Sequence, residues 1–362
     1  MSLPFTTPPA SLCILRLSAI GDICHTLPVV RTLQQAWPQT RLTWIIGKTE
    51  YALLQGIPDI EFIVFDKSRG FAAYRDVHRQ LHGRRFDALL HMQVALRASL
   101  LSRLVNAPIR LGFDRARARD LQWLFTNHRI EARPHQHVMD GLFGFSQALG
   151  IEEKLLRWDI PIPAADRQTA EQLADPARPY LVISPGASSA YRNWHVAGYA
   201  QLAEYAATEH GLRVYLTGGN SATEQQLASA IEEKAPNANI TNLIGKTSLK
   251  QLLAILEKAV VLVSPDSGPA HLATTVDTPV IGLYACANPD RTGPYLSRQW
   301  TINHYPDAVQ EKFHKPVSAL PWGIRVRDPG TMDRITVEEV ESTLDRLLHS
   351  HQSTVSDKDH NA

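Results

Sequence analysis

The residues most able to do chemistry sit where apolar runs stop. LCILRL (12–17) ends in SAIGD (18–22), and a helical pattern opening with HTLP (25–28) follows at once. Asp22 at such a junction has two ordinary uses. As a helix cap it contributes about 1 kcal/mol. As a general base it takes the proton of a hydroxyl that attacks an electrophile. These residues alone leave both uses open. A second group of turns lies further on, in SPGASSAYRNW (184–194), LTGG (216–219) and VSPDSGPAHL (263–272). Gly186, Ser188 and Ser189 let backbone N–H groups and hydroxyls approach an anion, and Arg192 adds charge. The helix expected after Asp266 opens with Ser267 and Gly268 and carries His271. Helix N-termini receive phosphate. Any one such loop is also how a parallel sheet turns a corner. Three in one half, all at strand ends, point to a phosphate-bearing ligand.

Bulk properties narrow the classes of partner. The chain has 362 residues, enough for two domains, with 44% hydrophobic and 20% charged residues. A net charge of +1 gives no general reason to expect nucleic acid, so an anion must be held locally. Cys13, Cys24 and Cys286 form neither a metal spacing nor a disulfide framework, which suggests a reducing compartment. The N-terminal stretch lacks early Lys or Arg, and Arg16 interrupts its apolar run, so it reads poorly as a signal peptide. No apolar run of about 18 residues offers a membrane span. The expected location is cytoplasmic.

These sites need elements to position them. RLTWIIG (41–47), EFIVFD (61–66) and FDALLHM (86–92) continue the first half as buried parallel strands separated by helical crossovers. A proline-rich stretch (158–180) breaks the rhythm and reads as a connection holding one short helix. Strands resume at 180–186, 213–219, 239–245, 260–266 and 279–285, with a helix at 248–259. TVEE (336–339) is a capping box that opens a final helix through Leu344, Leu347 and Leu348. The predicted architecture is α/β: two Rossmann-like, doubly wound domains facing a cleft. Their expected extents are 1–165 and 166–335, with a helix at 336–350 that packs back on the first domain and a disordered tail at 351–362. The first turn holds one glycine rather than G-x-G-x-x-G, which argues against a nicotinamide or flavin enzyme.

SAIGD with HTLP, together with PDSGPAHLA (265–273), resembles glycosyltransferase family 9, which contains the ADP-heptose:lipopolysaccharide heptosyltransferases. The resemblance runs from about Leu12 to Leu348. It implies a GT-B fold and inverting transfer of heptose from ADP-L-glycero-D-manno-heptose to Kdo–lipid A or a heptosylated core. The family's base falls on Asp22. The resemblance also implies a donor site of Ser188, Ser189, Arg192, Gly218, Gly219, Glu224, Thr247, Asp266, Ser267, Gly268 and His271. Within it Glu224 would take the ribose hydroxyls and Thr247 would lie near adenine. Asp266 and His271 would lie near the diphosphate or sugar, with Asp266 orienting sugar hydroxyls or its own loop. Arg192 stands where family members often have lysine; arginine keeps the charge and adds a bidentate fork. No metal is expected: the D-x-D at Asp357 and Asp359 lies in the polar tail, so fixed dipoles and cations must meet the leaving diphosphate.

On the acceptor side the resemblance points to Gly21, Arg97 and Arg119. RARAR (115–119) could also rest on anionic headgroups, giving a peripheral contact with the cytoplasmic face of the inner membrane. Two other readings fit the residues. A nucleotide-sugar epimerase or hydrolase, or a transferase of another sugar, would turn over a different donor. A non-catalytic nucleotide-binding module would use Asp22 only as a cap.

Overall fold

A computed structural model describes residues 4–359, with side chains to residue 350. Two compact units divide the chain, Met1–Pro161 and Ile162–Ala362. The first runs β1 (Ser11–Leu15), α1 (Ile20–Ala36), β2 (Arg41–Gly47), α2 (Lys48–Leu54), β3 (Ile60–Phe65), α3 (Phe71–Leu81), β4 (Ala88–His91), α4 (Leu96–Ser102), β5 (Ile109–Gly112), β6 (His128–Arg129) and α5 (Val138–Ala148). Its strands form one parallel sheet in the order β3-β2-β1-β4-β5-β6. Central β1 is buried throughout, pairing Leu12 with both Leu42 and Ala88. A strand covered on both faces gains most from an unbroken aliphatic run, which is what LCIL supplies.

The second unit repeats the plan with α6 (Ala164–Leu173), β7 (Tyr180–Ile183), α7 (Val196–Thr208), β8 (Arg213–Leu216), α8 (Ala222–Lys234), β9 (Ile240–Asn242), α9 (Leu249–Lys258) and β10 (Val261–Pro265). It continues with α10 (Gly268–Thr274), β11 (Val280–Tyr284), α11 (Pro289–Thr292), β12 (Ile302–Asn303), α12 (Tyr305–Phe313) and α13 (Val337–Asp359). The order is β12-β11-β10-β7-β8-β9, again all parallel. Both sheets thus have the dinucleotide-fold order, in which the chain reverses direction beside the first strand and opens a crevice at the strands' carboxyl ends. That reversal lies between β1 and β4 in one unit and between β7 and β10 in the other.

The division between units falls slightly before the expected 165/166 break. Helix α6 belongs wholly to the second unit, because Arg167 pairs with Glu257 of α9. The final helix forms within the second unit. Val340, Leu344 and Leu347 of α13 are buried in the second unit's core, and α13 packs on α7 and β11. Its capping box forms as read: Thr336 N–H donates to Glu339 at 2.9 Å, and Glu339 N–H donates to the Thr336 hydroxyl at 3.2 Å. The tail assigned to 351–362, with its D-x-D, lies outside the residues whose side chains are described.

Helix α1 carries Pro28 in its middle, so the Cys24 carbonyl four residues earlier has no helical donor. The Trp158 indole N–H donates to that carbonyl at 2.7 Å, and Arg31 in turn donates to the Trp158 carbonyl. The end of the first unit therefore locks the helix that begins at the SAIGD turn. The cysteines are free and buried, and burial raises the thiol of each. Among the described residues no helix is long and apolar enough to cross a membrane, and no group of three or more His, Cys, Asp or Glu is placed to hold a metal ion.

Candidate active site

Asp22 is the third residue of α1; the N-cap is Ala19. Its carboxylate accepts from the Ala19 N–H at 3.0 Å and forms an ion pair with Arg16. Both contacts fall on Oδ2, and Oδ1 has no partner among the described residues. The cap and base readings are therefore compatible: one oxygen ties down the turn and the other is available to a hydroxyl. The Asp22 side chain is 36% exposed while that of Arg16 is 10% exposed, so the cation is buried beneath a carboxylate that reaches solvent.

The support for this turn comes from the residues just past β4, across the reversal point. The Gln93 side-chain oxygen accepts from Leu17 N–H at 2.6 Å, and its amide donates to the Ser18 hydroxyl at 3.3 Å. Arg16 donates to the Met92 carbonyl, and buried Gln122 donates to the carbonyls of His91 and Gln93. Gly21 is buried in the first turn of α1. Arg97 and Arg119 are both exposed, the first on α4 and the second in the loop before residue 121. Within RARAR, Arg117 is paired with buried Asp114, and Arg115 lies 4.5 Å over the Trp123 ring. Glu50, a residue without a sequence signal, is buried at the start of α2. Burial raises its pKa; Lys67 and Arg97 oppose the rise and Asp22 adds to it. Lys67, Arg97 and Asp22 are thus the charged groups that act on Glu50.

The three turns of the second unit follow β7, β8 and β10, which are neighbours in the sheet. Arg192 is buried, and its Nη1 donates to the Asp266 carboxylate at 2.8 Å and to the Asp266 carbonyl at 2.6 Å. Its Nη2 donates to the Ser188 hydroxyl. In the folded chain both terminal nitrogens bond to protein groups, while Nε is buried without a hydrogen-bond partner. Asp266 also accepts from Arg325 Nη2 at 3.4 Å, and Arg325 Nη1 donates to the Tyr191 hydroxyl at 3.3 Å. Arg325 has no sequence signal, because no motif surrounds it. Ser189 precedes the short helical turn at 190–192 without a side-chain capping bond, and Ser267 shares a 2.6 Å hydroxyl contact with Ser264 before Gly268 opens α10. His271 is buried within α10.

Glu224 is fixed in register by the cap of α8. Its N–H donates to the Ser221 hydroxyl at 3.2 Å, and its carboxylate accepts from that hydroxyl at 2.6 Å and from Gly219 N–H at 2.8 Å. A Cβ on Gly218 or Gly219 would come within 2.9 Å of that carboxylate, so the glycines permit the close approach. S-x-x-E at 221–224 is the sequence signal for this arrangement. Thr247 is half-buried just before α9.

Nearby Lys250 is pulled down to about 8 by burial, with Asp166 acting the other way, against an ordinary 10.5. Between those values the unfolded chain binds the proton and the folded chain does not, so this group makes stability rise with pH. The stability of Lys250→Met relative to wild type should therefore fall from about pH 7 to about pH 10.5. Denaturant unfolding at the two pH values checks this, and a constant difference would contradict it.

Two parallel units of dinucleotide-fold order, each with polar loops at its reversal point, form an architecture that binds nucleotide-type ligands at the carboxyl ends of its strands. The chain belongs to glycosyltransferase family 9 (heptosyltransferase), whose profile matches residues 74–322, and it is a glycosyltransferase of the GT-B fold. It is 43% identical over 343 residues to the lipopolysaccharide core heptosyltransferase OpsX of Haemophilus influenzae, covering 95% of this chain and 98% of that one. Among solved structures it is similar to the glycosyl transferase family 9 protein of Veillonella parvula (TM-score 0.77, 20% identity, 94% and 97% of the chains). It is also similar to E. coli heptosyltransferase WaaC with ADP (TM-score 0.71, 21% identity, 93% and 99%).

Proposed function

We propose that the chain transfers heptose from ADP-L-glycero-D-manno-heptose to the inner core of lipopolysaccharide, on Kdo–lipid A or a heptosylated core, with inversion. The observation that carries the catalytic part is the divided Asp22 carboxylate, anchored through Oδ2 with Oδ1 unengaged. The 43% identity to a lipopolysaccharide core heptosyltransferase over nearly the whole chain supports the substrate class.

In this reading Asp22 takes the acceptor hydroxyl's proton while that oxygen bonds to the anomeric carbon. The bond from that carbon to the diphosphate breaks on the opposite face, and ADP leaves with the electron pair. One displacement inverts the centre, so no enzyme nucleophile is needed. Ser188, Ser189, Ser267 and Gly268 offer hydroxyls and backbone N–H groups to the diphosphate, with His271 near the diphosphate or sugar. Gly218 and Gly219 admit the ribose beside Glu224, and Thr247 faces the adenine. Charge on the leaving group is met by fixed donors and cations rather than by a metal.

The acceptor lies on the first unit, against Gly21, Arg97 and Arg119. Leu96 and Leu100 are 48% and 50% exposed on α4, and Leu121, Trp123 and Leu124 are 53%, 43% and 55% exposed in the adjoining loop. Leu96 N–H donates to Asp120 at 3.4 Å, which holds the two segments together. Large apolar side chains among arginines suit a peripheral contact with an anionic membrane, here the cytoplasmic face of the inner membrane.

Ligand-induced stabilisation tests the donor. ADP should raise the melting temperature clearly, UDP only weakly, and magnesium or EDTA should leave both shifts unchanged. A preference for UDP would overturn the ADP-heptose assignment.

A further inference from the structure

The second unit holds a buried aspartate where a diphosphate is expected, and the cations around it are not equivalent. Arg192, with its side chain 8% exposed, gives both terminal nitrogens to Asp266 and Ser188. Arg192 and Asp266 therefore form a fixed, neutral pair. Arg325 brings the second positive charge, so the three groups together carry one net positive charge. Its side chain is 30% exposed, and its contacts to Asp266 and Tyr191, at 3.4 and 3.3 Å, are long for hydrogen bonds to a guanidinium. A guanidinium has five N–H donors, and this one keeps most of them uncommitted.

The backbone on both sides holds Arg325 in place. Val326 N–H donates to the Cys286 carbonyl, just past β11, at 3.1 Å, and the Tyr305 hydroxyl donates to the Ile324 carbonyl at 2.9 Å. Val326 is buried in a small core with Tyr305, Ala308 and Val309. Helix α12 and the segment after it thus form a bracket whose product is a cation beside β10. The Tyr191 ring that Arg325 touches also lies 5.9 Å from the Arg327 guanidinium. Both arginines follow residue 322, where the family match ends.

We propose that Arg325, rather than Arg192, supplies the positive charge that receives the diphosphate of the nucleotide-sugar donor and of the ADP product, while Arg192 positions Asp266 and Ser188. The proposal rests on the donor assignment above. A diphosphate reaching this site displaces the two long contacts and gains shorter charge-assisted hydrogen bonds.

Calorimetric titration of the full chain with ADP and with adenosine tests it. Arg325→Gln should weaken ADP about tenfold or more, on the scale of one charge-assisted hydrogen bond. Adenosine, which lacks phosphate, should bind Arg325→Gln and wild type alike, and its binding also reports that the site is folded. Arg325→Lys should recover part of the loss. Unchanged ADP affinity in Arg325→Gln, or equal losses for ADP and adenosine, would overturn the proposal while leaving the donor assignment standing. Failure of the wild type to bind ADP would remove the donor assignment, and the proposal with it.

Discussion

Asp22→Asn should lower heptosyl transfer by about 10²–10⁴-fold, the range that removal of a general base produces, while ADP binding is unchanged. The substitution is nearly isosteric. An amide oxygen can still accept from the Ala19 N–H, so the first turn of α1 keeps that contact. What it loses is a lone pair basic enough to take a hydroxyl proton. The Arg16 charge below it loses its partner, although Arg16 still donates to the Met92 carbonyl. Loss of a charge partner lowers stability, so the assay belongs well below the variant's melting temperature. Transfer is followed by mass spectrometry of a Kdo–lipid A acceptor, with the donor-side shift by ADP as the control. Wild-type transfer rates in the Asp22→Asn variant would reduce Asp22 to a helix-start residue and rule out its action as a base.

The largest structural effect is expected at Trp158, close to the end of the first unit. Trp158→Ala should destabilise that unit by about 3–5 kcal/mol, the usual result of removing a buried tryptophan ring. At this size of unit that corresponds to a fall in melting temperature on the order of 10 °C. Two losses combine. The ring is buried, and its N–H is the donor to the Cys24 carbonyl, which Pro28 leaves without a helical partner. Trp158→Phe separates the two, retaining most of the apolar area while leaving that carbonyl unpaired at a cost of about 1–3 kcal/mol. If Trp158→Phe melts like wild type, the indole is packing only, and its N–H does not compensate for the proline in α1.

The architecture is largely legible in the sequence because parallel sheets bury their strands on both faces. Such strands must be written as short aliphatic runs, and β2 matches its run residue for residue at 41–47. β5, β6 and β12 are illegible for the same reason inverted. They are edge or near-edge strands of four, two and two residues, and IRLG, HR and IN are too short to show a strand pattern. The Asp22, Asp266 and Glu224 turns are visible as glycine, serine and carboxylate at strand ends. Arg16, Gln93 and Glu50 are not, since a buried polar residue is recognisable only once its partners are placed.

Sequence alone determined the class of fold, the family, and the turns that end β1, β7, β8 and β10, because strand burial and loop chemistry are local properties of the chain. Tertiary structure alone decided how charge is distributed within those turns. Arg192 and Arg325 are far apart in sequence and alike in chemistry, yet one is locked in a neutral pair with Asp266 and the other keeps most of its donors. The same holds for Asp22, whose partner Arg16 binds one of its two oxygens while the other has no partner among the described residues. Which charges cancel depends on distances of a few ångströms between residues brought together by folding, and no spacing along the chain encodes them.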